Sequence, residues 1–162
     1  MSGTPHADRL LKELAETRAE LSAEVAQLRP EDLGWAPKED MKTYRALLQE
    51  IGAMEKLCIR WINKAQLLDW AEEDKALAAA PDAASLTSAL DVIRAETVDY
   101  LQSVSEETLE TPIDVHPNWH QYMGSRLEPE EFVRWISRHE YYHLGQIVSY
   151  RWIQGHNPYK TA

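Results

Sequence analysis

Apolar residues recur three, four or seven positions apart along four long segments of this chain, which is the spacing of one face of an α-helix. The predicted helices run from about Pro5 to Leu28, from Thr43 through Ala65, from just after Pro81-Asp82 through Val104, and from Pro129 to Gly155. Four amphipathic helices of this length predict an all-α fold, a four-helix bundle. A long irregular connection over roughly residues 105–128 would join the third helix to the fourth.

Length, charge and cysteine content limit the possible classes of function. The 162 residues fit one domain, which we expect to span residues 1–162. A formal net charge of -10 without any basic run argues against nucleic acid or an anionic membrane as a partner. Cys58 is the single cysteine, so an intramolecular disulfide is excluded, and we find no signal-peptide pattern or membrane-length apolar run. We therefore expect a cytoplasmic protein.

The stretch HEYYHLGQ, residues 139–146, contains two histidines four positions apart. His139 and His143 fall on the same helical stripe as Phe132, Ile136 and Ile147, so both should point into the protein. An unpaired buried polar group costs on the order of 1–3 kcal/mol, and a shared metal ion would satisfy both imidazoles at once. The alternative is a pair of core histidines that hydrogen-bond to Tyr or Glu side chains.

A carboxylate on the second predicted helix offers a third ligand. Glu50 lies between Leu47 and Ile51, on the face that should look inward. Two histidines and one carboxylate would hold a metal and leave positions open for water or substrate. Glu55 is the competing ligand, but it lies about 140° around the helix from Glu50. The alternative for Glu50 is a solvated charge on the helix face.

The H-E-x-x-H pattern also occurs in zinc proteases, but the residues after it do not fit that class. No Asp or Glu follows from Leu144 to Ala162, and Ser149 stands where a metzincin has its third histidine. Glu140 points about 100° away from His139 and is interpreted as a partly exposed helix charge. A metalloprotease therefore remains only a remote alternative.

Three stretches resemble the DinB-like family of bacterial four-helix bundles, of the damage-inducible, YfiT type: LLQEIGAMEK, LTSALDVIRAETVDYLQSVSEETLETPI and EEFVRWISRHEYYHLGQIVSYRWIQGHNP. The resemblance implies one divalent metal per chain, often nickel or zinc, held by one histidine of the second helix and two of the fourth. His139 and His143 match the latter pair. LLQEI places Glu50 where relatives have the first histidine, and a carboxylate ligand broadens tolerance toward iron(II) or manganese.

The same resemblance implies two classes of function. Some family branches act as thiol-dependent S-transferases or isomerases, so the chain is expected to be a metal-dependent transferase or hydrolase that acts on a small molecule, with a thiol cosubstrate. The alternative is a non-catalytic metal-binding protein of the stress response. An open polar pocket above the metal would favour catalysis, whereas a closed apolar lid would favour a structural role.

Other polar residues of the chain carry weaker signals. His116 and His120 are four apart, but Pro117 lies between them, so we expect their loop to pack over one end of the helices. Gln146 should face inward and either donate to a metal-bound water or cap a buried carbonyl. Cys58 is expected to be an inert core thiol.

The aromatic content predicts a homodimer. Six Trp and seven Tyr are more large amphipathic side chains than one small helical domain readily buries, and such residues favour interfaces. Trp61, Trp70 and Trp152 are the candidates for the interface.

Overall fold

The structure is a computed structural model that describes residues 4–159, and within this range it contains seven α-helices and one two-stranded hairpin. The helices are α1 (Pro5–Val25), α2 (Tyr44–Lys64), α3 (Trp70–Ala78), α4 (Ala83–Ser103), α5 (Glu106–Glu110), α6 (His120–Met123) and α7 (Pro129–Ile153). The strands are β1 (Ile113–Asp114) and β2 (Arg126–Leu127), and short 3₁₀ segments cover Pro30–Gly34 and Pro117–Trp119. The predicted all-α class is confirmed.

Side-chain caps start α2 and α4 where the sequence predicts. The hydroxyl of Thr43 accepts a hydrogen bond from the backbone N–H of Ala46, and the Asp82 carboxylate accepts one from Ser85. Helix α1 ends at Val25 and not at Leu28, because the amides of Gln27 and Leu28 bond to carbonyls three residues back and tighten the chain before it reaches Pro30.

Four helices of 21 to 25 residues pack in a closed ring, in which α1 and α2 each contact both α4 and α7. Two apolar clusters fill the ring. One contains Leu21, Ile51, Leu90 and Leu144, and the other contains Leu14, Cys58, Leu101 and Ile136.

One charged residue on each long helix lies in sequence between members of the two apolar clusters: Arg18, Glu55, Arg94 and Glu140. We call these four residues the ion layer. Arg18 Nε donates to Glu140 at 2.6 Å, and Arg94 Nε donates to Glu55 at 2.6 Å. Arg18 also reaches Glu55 at 3.1 Å, and Arg94 pairs with Glu140. Two guanidinium and two carboxylate groups therefore neutralise one another inside the protein.

The ion layer corrects two predictions. Glu140, expected as a partly exposed charge, is 1% exposed, and Glu55, expected near the edge of its stripe, is fully buried. Each carboxylate is compensated by arginines from other helices, a pairing that the periodicity of one helix does not show. Burial alone would lower the pKa of Arg18, but the hydrogen bond and charge of Glu140, together with the charges of Glu55 and Asp91, outweigh burial and raise the pKa.

Two connections are more regular than the sequence indicates. Helix α3 was not predicted; it packs on α2 at Gly52, where a Cβ atom would lie 2.5 Å from Leu77 Cδ1 and 2.8 Å from Leu90 Cδ2. The predicted irregular connection over residues 105–128 contains α5, α6 and the hairpin, with Ile113 opposite Leu127. Among residues 4–159, no helix is long and apolar enough to span a membrane.

The ion layer predicts a large stability difference between two glutamate variants. Glu55→Ala leaves two buried arginines with one carboxylate between them, so it should lower the free energy of unfolding by about 3–5 kcal/mol. The matched control is Glu72→Ala, because Glu72 pairs with Lys75 and both side chains are exposed. The control should change stability by less than about 0.5 kcal/mol.

Urea unfolding at pH 7 measures both values. Glu55→Gln, which removes the charge but keeps an acceptor for the Thr97 hydroxyl, replaces the alanine variant if that variant does not fold. Equal midpoints for the Glu55 and Glu72 variants would show that the ion layer does not stabilise the fold in this way.

Candidate metal centre

Helices α2 and α7 pack side by side and bring together the three residues that the sequence predicts as metal ligands. One ligand atom each from Glu50, His139 and His143 lies within 4.8 Å of the other two. His143 is buried, while the other two are half-buried. We call these three residues the ligand group.

The two imidazoles of the ligand group face each other. Their Nε2 atoms are 3.1 Å apart, and the rings lie at 82° to one another. His143 Nε2 lies 3.6 Å from a carboxylate oxygen of Glu50. The spacing of four residues puts His139 and His143 one helical turn apart, and the contact between α2 and α7 supplies the carboxylate.

Burial keeps both histidines neutral. Burial, and to a smaller extent the nearby His143, lowers the pKa of His139 to about 4. Burial also lowers the pKa of His143. Neutral imidazole is the form that binds metals. At neutral pH, the ligand group therefore contains two uncharged imidazole rings and one carboxyl group.

Gln146 orients the ring of His143. Its side-chain oxygen lies 2.6 Å from His143 Nδ1, and its amide nitrogen donates to the Tyr142 hydroxyl at 3.2 Å. The proton of His143 is then on Nδ1, and the lone pair of Nε2 faces the ligand group. The sequence places Gln146 on the inward side, but its partner is this histidine and not a buried carbonyl.

Lys42 is a charged neighbour of the ligand group that the sequence does not predict. Its ammonium group hydrogen-bonds to the Glu50 carboxylate. Lys42 comes one residue before the N-cap of α2, eight residues ahead of Glu50, and no helical spacing links it to the ligand group. The sequence places it next to Thr43, the predicted N-cap of the second helix. The ammonium group of Lys42 neutralises the charge of Glu50, so a cation that binds Glu50 would compete with Lys42.

An open cleft of about 460 Å³ lies over the ligand group. Its polar lining consists of Lys42, Glu50, His139, Tyr142, His143 and Gln146. Such a cleft has room for a small molecule next to the two histidines.

The structure does not bring the other predicted candidates to this centre. His116 packs against Trp61 and Trp119, and its Nδ1 accepts from a backbone amide. His120 Nε2 bonds to the carbonyl of Val115 at 2.9 Å. The loop thus covers one end of the helices, and Glu55, the alternative third ligand, is held in the ion layer.

Comparison with known proteins agrees with the sequence resemblance. The model of the DinB superfamily matches residues 13–147. The chain belongs to the DinB superfamily. Among solved structures, it is similar to a DinB-like protein, YjoA, from Bacillus subtilis, with a TM-score of 0.68 and 15% sequence identity over 94% of this chain and 96% of that chain. At this identity, the likeness concerns the fold. A comparison with curated proteins found no match.

Proposed function

We propose that this member of the DinB superfamily binds one divalent transition metal ion through Glu50, His139 and His143. The proposal is carried by one observation, the convergence of three ligand atoms within 4.8 Å. The neutral state of both histidines and the tautomer that Gln146 favours support it further. Two imidazoles and a carboxylate suit zinc or nickel, and also iron(II) or manganese.

We further propose that the metal serves a reaction on a small molecule, of the thiol S-transferase type implied by the family resemblance. When bound, the metal would polarise a thiol or a carbonyl group. Three protein ligands leave positions open, and the cleft above them is open and carries several polar side chains, which favours catalysis over a purely structural site. Tyr142 and Lys42 line this cleft and can contact a ligand there through a hydroxyl and an ammonium group.

The protease alternative is disfavoured by the position of Glu140. A protease of the H-E-x-x-H class uses this glutamate as a general base beside the metal. Here both of its carboxylate oxygens are bonded to Arg18 and Arg94 within the ion layer. Glu140 is therefore not free to activate a water molecule.

The first test is the metal content of protein purified without an affinity tag. We expect up to one divalent ion per chain by elemental analysis, and His143→Ala should reduce it to background because two ligands do not hold the ion. His116→Ala is the matched control and should keep the metal, because His116 lies outside the ligand group. A His143→Ala variant that folds and keeps its full metal content would place the metal elsewhere.

The second test concerns the carboxylate. Glu50→His gives the three-histidine set that the resemblance implies for relatives, so preference should shift from manganese toward nickel, copper and zinc, because imidazole is a softer ligand than carboxylate. We expect the zinc-to-manganese affinity ratio, measured by competition, to rise by at least about tenfold. Glu72→His, at an exposed position of α3, is the control. Equal ratios in all three proteins would exclude Glu50 as a ligand.

We also propose that the chain forms a homodimer. Trp152 and Trp70 are 49% and 39% exposed, and Trp152 packs on the exposed Tyr159. Trp152 and Tyr159 would be covered in a dimer, whereas Trp70 also lines a cavity within the chain. Trp61 is instead used within the chain, where its indole nitrogen donates to the carbonyl of Asp114. Light scattering at micromolar concentration should report twice 18.6 kDa, and a mass of one chain would rule out the dimer.

A further inference from the structure

A second cavity, of about 400 Å³, shares Glu50 with the cleft that lies over the ligand group. Its apolar walls come from α2, α3, the loop over residues 117–123, and α7. They include Leu57, Cys58, Trp70, Trp119, Met123 and Trp135. We call this space the aromatic cavity.

We propose that the aromatic cavity binds the uncharged aromatic or branched aliphatic body of a small ligand whose polar head reaches the ligand group. This inference rests on the proposed metal site for the head of the ligand, while the cavity itself is defined by its own residues. The substrate class is then an amphipathic small molecule with a metal-coordinating head and an apolar body.

The position of Glu50 supports this assignment. Glu50 is the residue that lines both the polar cleft and the aromatic cavity. The two spaces therefore adjoin at Glu50, and the proposed ligand would place its head near the two histidines and its body in the cavity. The volume lies within the range of about 300–1,000 Å³ that is usual for small-molecule sites.

The chemistry of the walls selects for a neutral body. Glu50 carries the only charged side chain among the described residues that line the cavity. Burial raises the pKa of the Cys58 thiol to about 12, with a further contribution from the nearby Glu55. Cys58 is therefore protonated at neutral pH, so it acts as an apolar wall and not as a nucleophile. A charged ligand body would lose its hydration without gaining a counter-ion.

The rim of the cavity carries aromatic surface that lacks a cover in the chain. Tyr122 is 65% exposed and Trp70 is 39% exposed, and both line the cavity. Aromatic and methionine side chains adapt well to flat or branched apolar ligands, and Met54 and Met123 lie in the same lining. An aromatic ring in the cavity would remove this apolar surface from water.

The test compares two hydroxamates on zinc-loaded protein by calorimetry. Acetohydroxamate provides a metal-coordinating head alone, whereas 3-phenylpropanohydroxamate adds an aromatic body. We expect the second to bind at least about tenfold tighter, because its ring is buried. Met123→Trp, which fills the cavity from α6, should reduce this preference to less than about threefold and leave zinc content and acetohydroxamate affinity unchanged. Val92→Trp, at a position that is 70% exposed on α4, should keep the full preference.

The outcomes separate the cavity from the metal site. Zinc binding with equal affinity for the two hydroxamates, or an undiminished preference in Met123→Trp, overturns the cavity assignment. If the protein binds no zinc, the proposed metal function fails, and fluorine NMR with 2-(4-fluorophenyl)ethanol then decides the cavity alone. Line broadening that Met123→Trp removes and Val92→Trp retains supports the cavity, and no broadening in the unmodified protein overturns it.

Discussion

The ion layer fixes how the four long helices are rotated and how they are aligned along their axes. All four side chains must lie at the same level inside the protein: Arg18, Glu55, Arg94 and Glu140. A helix that shifted its residue away from this level would leave a buried charge without a partner. Glu55 and Glu140 belong to the same two helices that carry the ligand group. Glu50 comes five residues before Glu55, and His139 directly precedes Glu140, so the alignment that pairs the charges also sets which faces of α2 and α7 meet at the candidate metal centre.

Such a layer contributes more to the choice of one arrangement than to net stability. Removing four charged groups from water costs much of what their attraction returns, so an apolar layer of similar volume can be as stable. The two apolar clusters tolerate small shifts of one helix against another, because one apolar side chain can take the place of another of similar volume. A shift of one helix by a turn would place a guanidinium group against leucine side chains. The cost of that unpaired buried charge disfavours the shifted arrangement.

Local chemistry made much of the structure predictable. Thr43, Asp82 and Pro129 act through the first turn of their own helices, and the ligand group was found because its residues share the inward faces of two helices. Glu140 was misjudged because its partner Arg18 is 122 residues away in the chain, and the angle within one helix carries no information about it. Lys42 was missed for a similar reason: it acts from a connection whose path only the packed structure defines. Helix α3 is short, and most of its described side chains are exposed, so its pattern is weak.

The pair of Lys42 and Glu50 places a charge-compensated carboxylate at the position where the resemblance implies a histidine. A negative charge beside two imidazoles favours their protonated form, which cannot bind a metal. Burial is the largest influence on His139 and lowers its pKa; Glu50 opposes this effect, and Lys42 counters Glu50. Burial, Glu50 and Lys42 act on His143 in the same directions, and the hydrogen bond that His143 Nδ1 donates to Gln146 also raises its pKa. Lys42 therefore offsets the effect of Glu50 and helps to keep both imidazoles neutral. The charge that distinguishes this chain from the three-histidine pattern is accompanied by the residue that compensates for it.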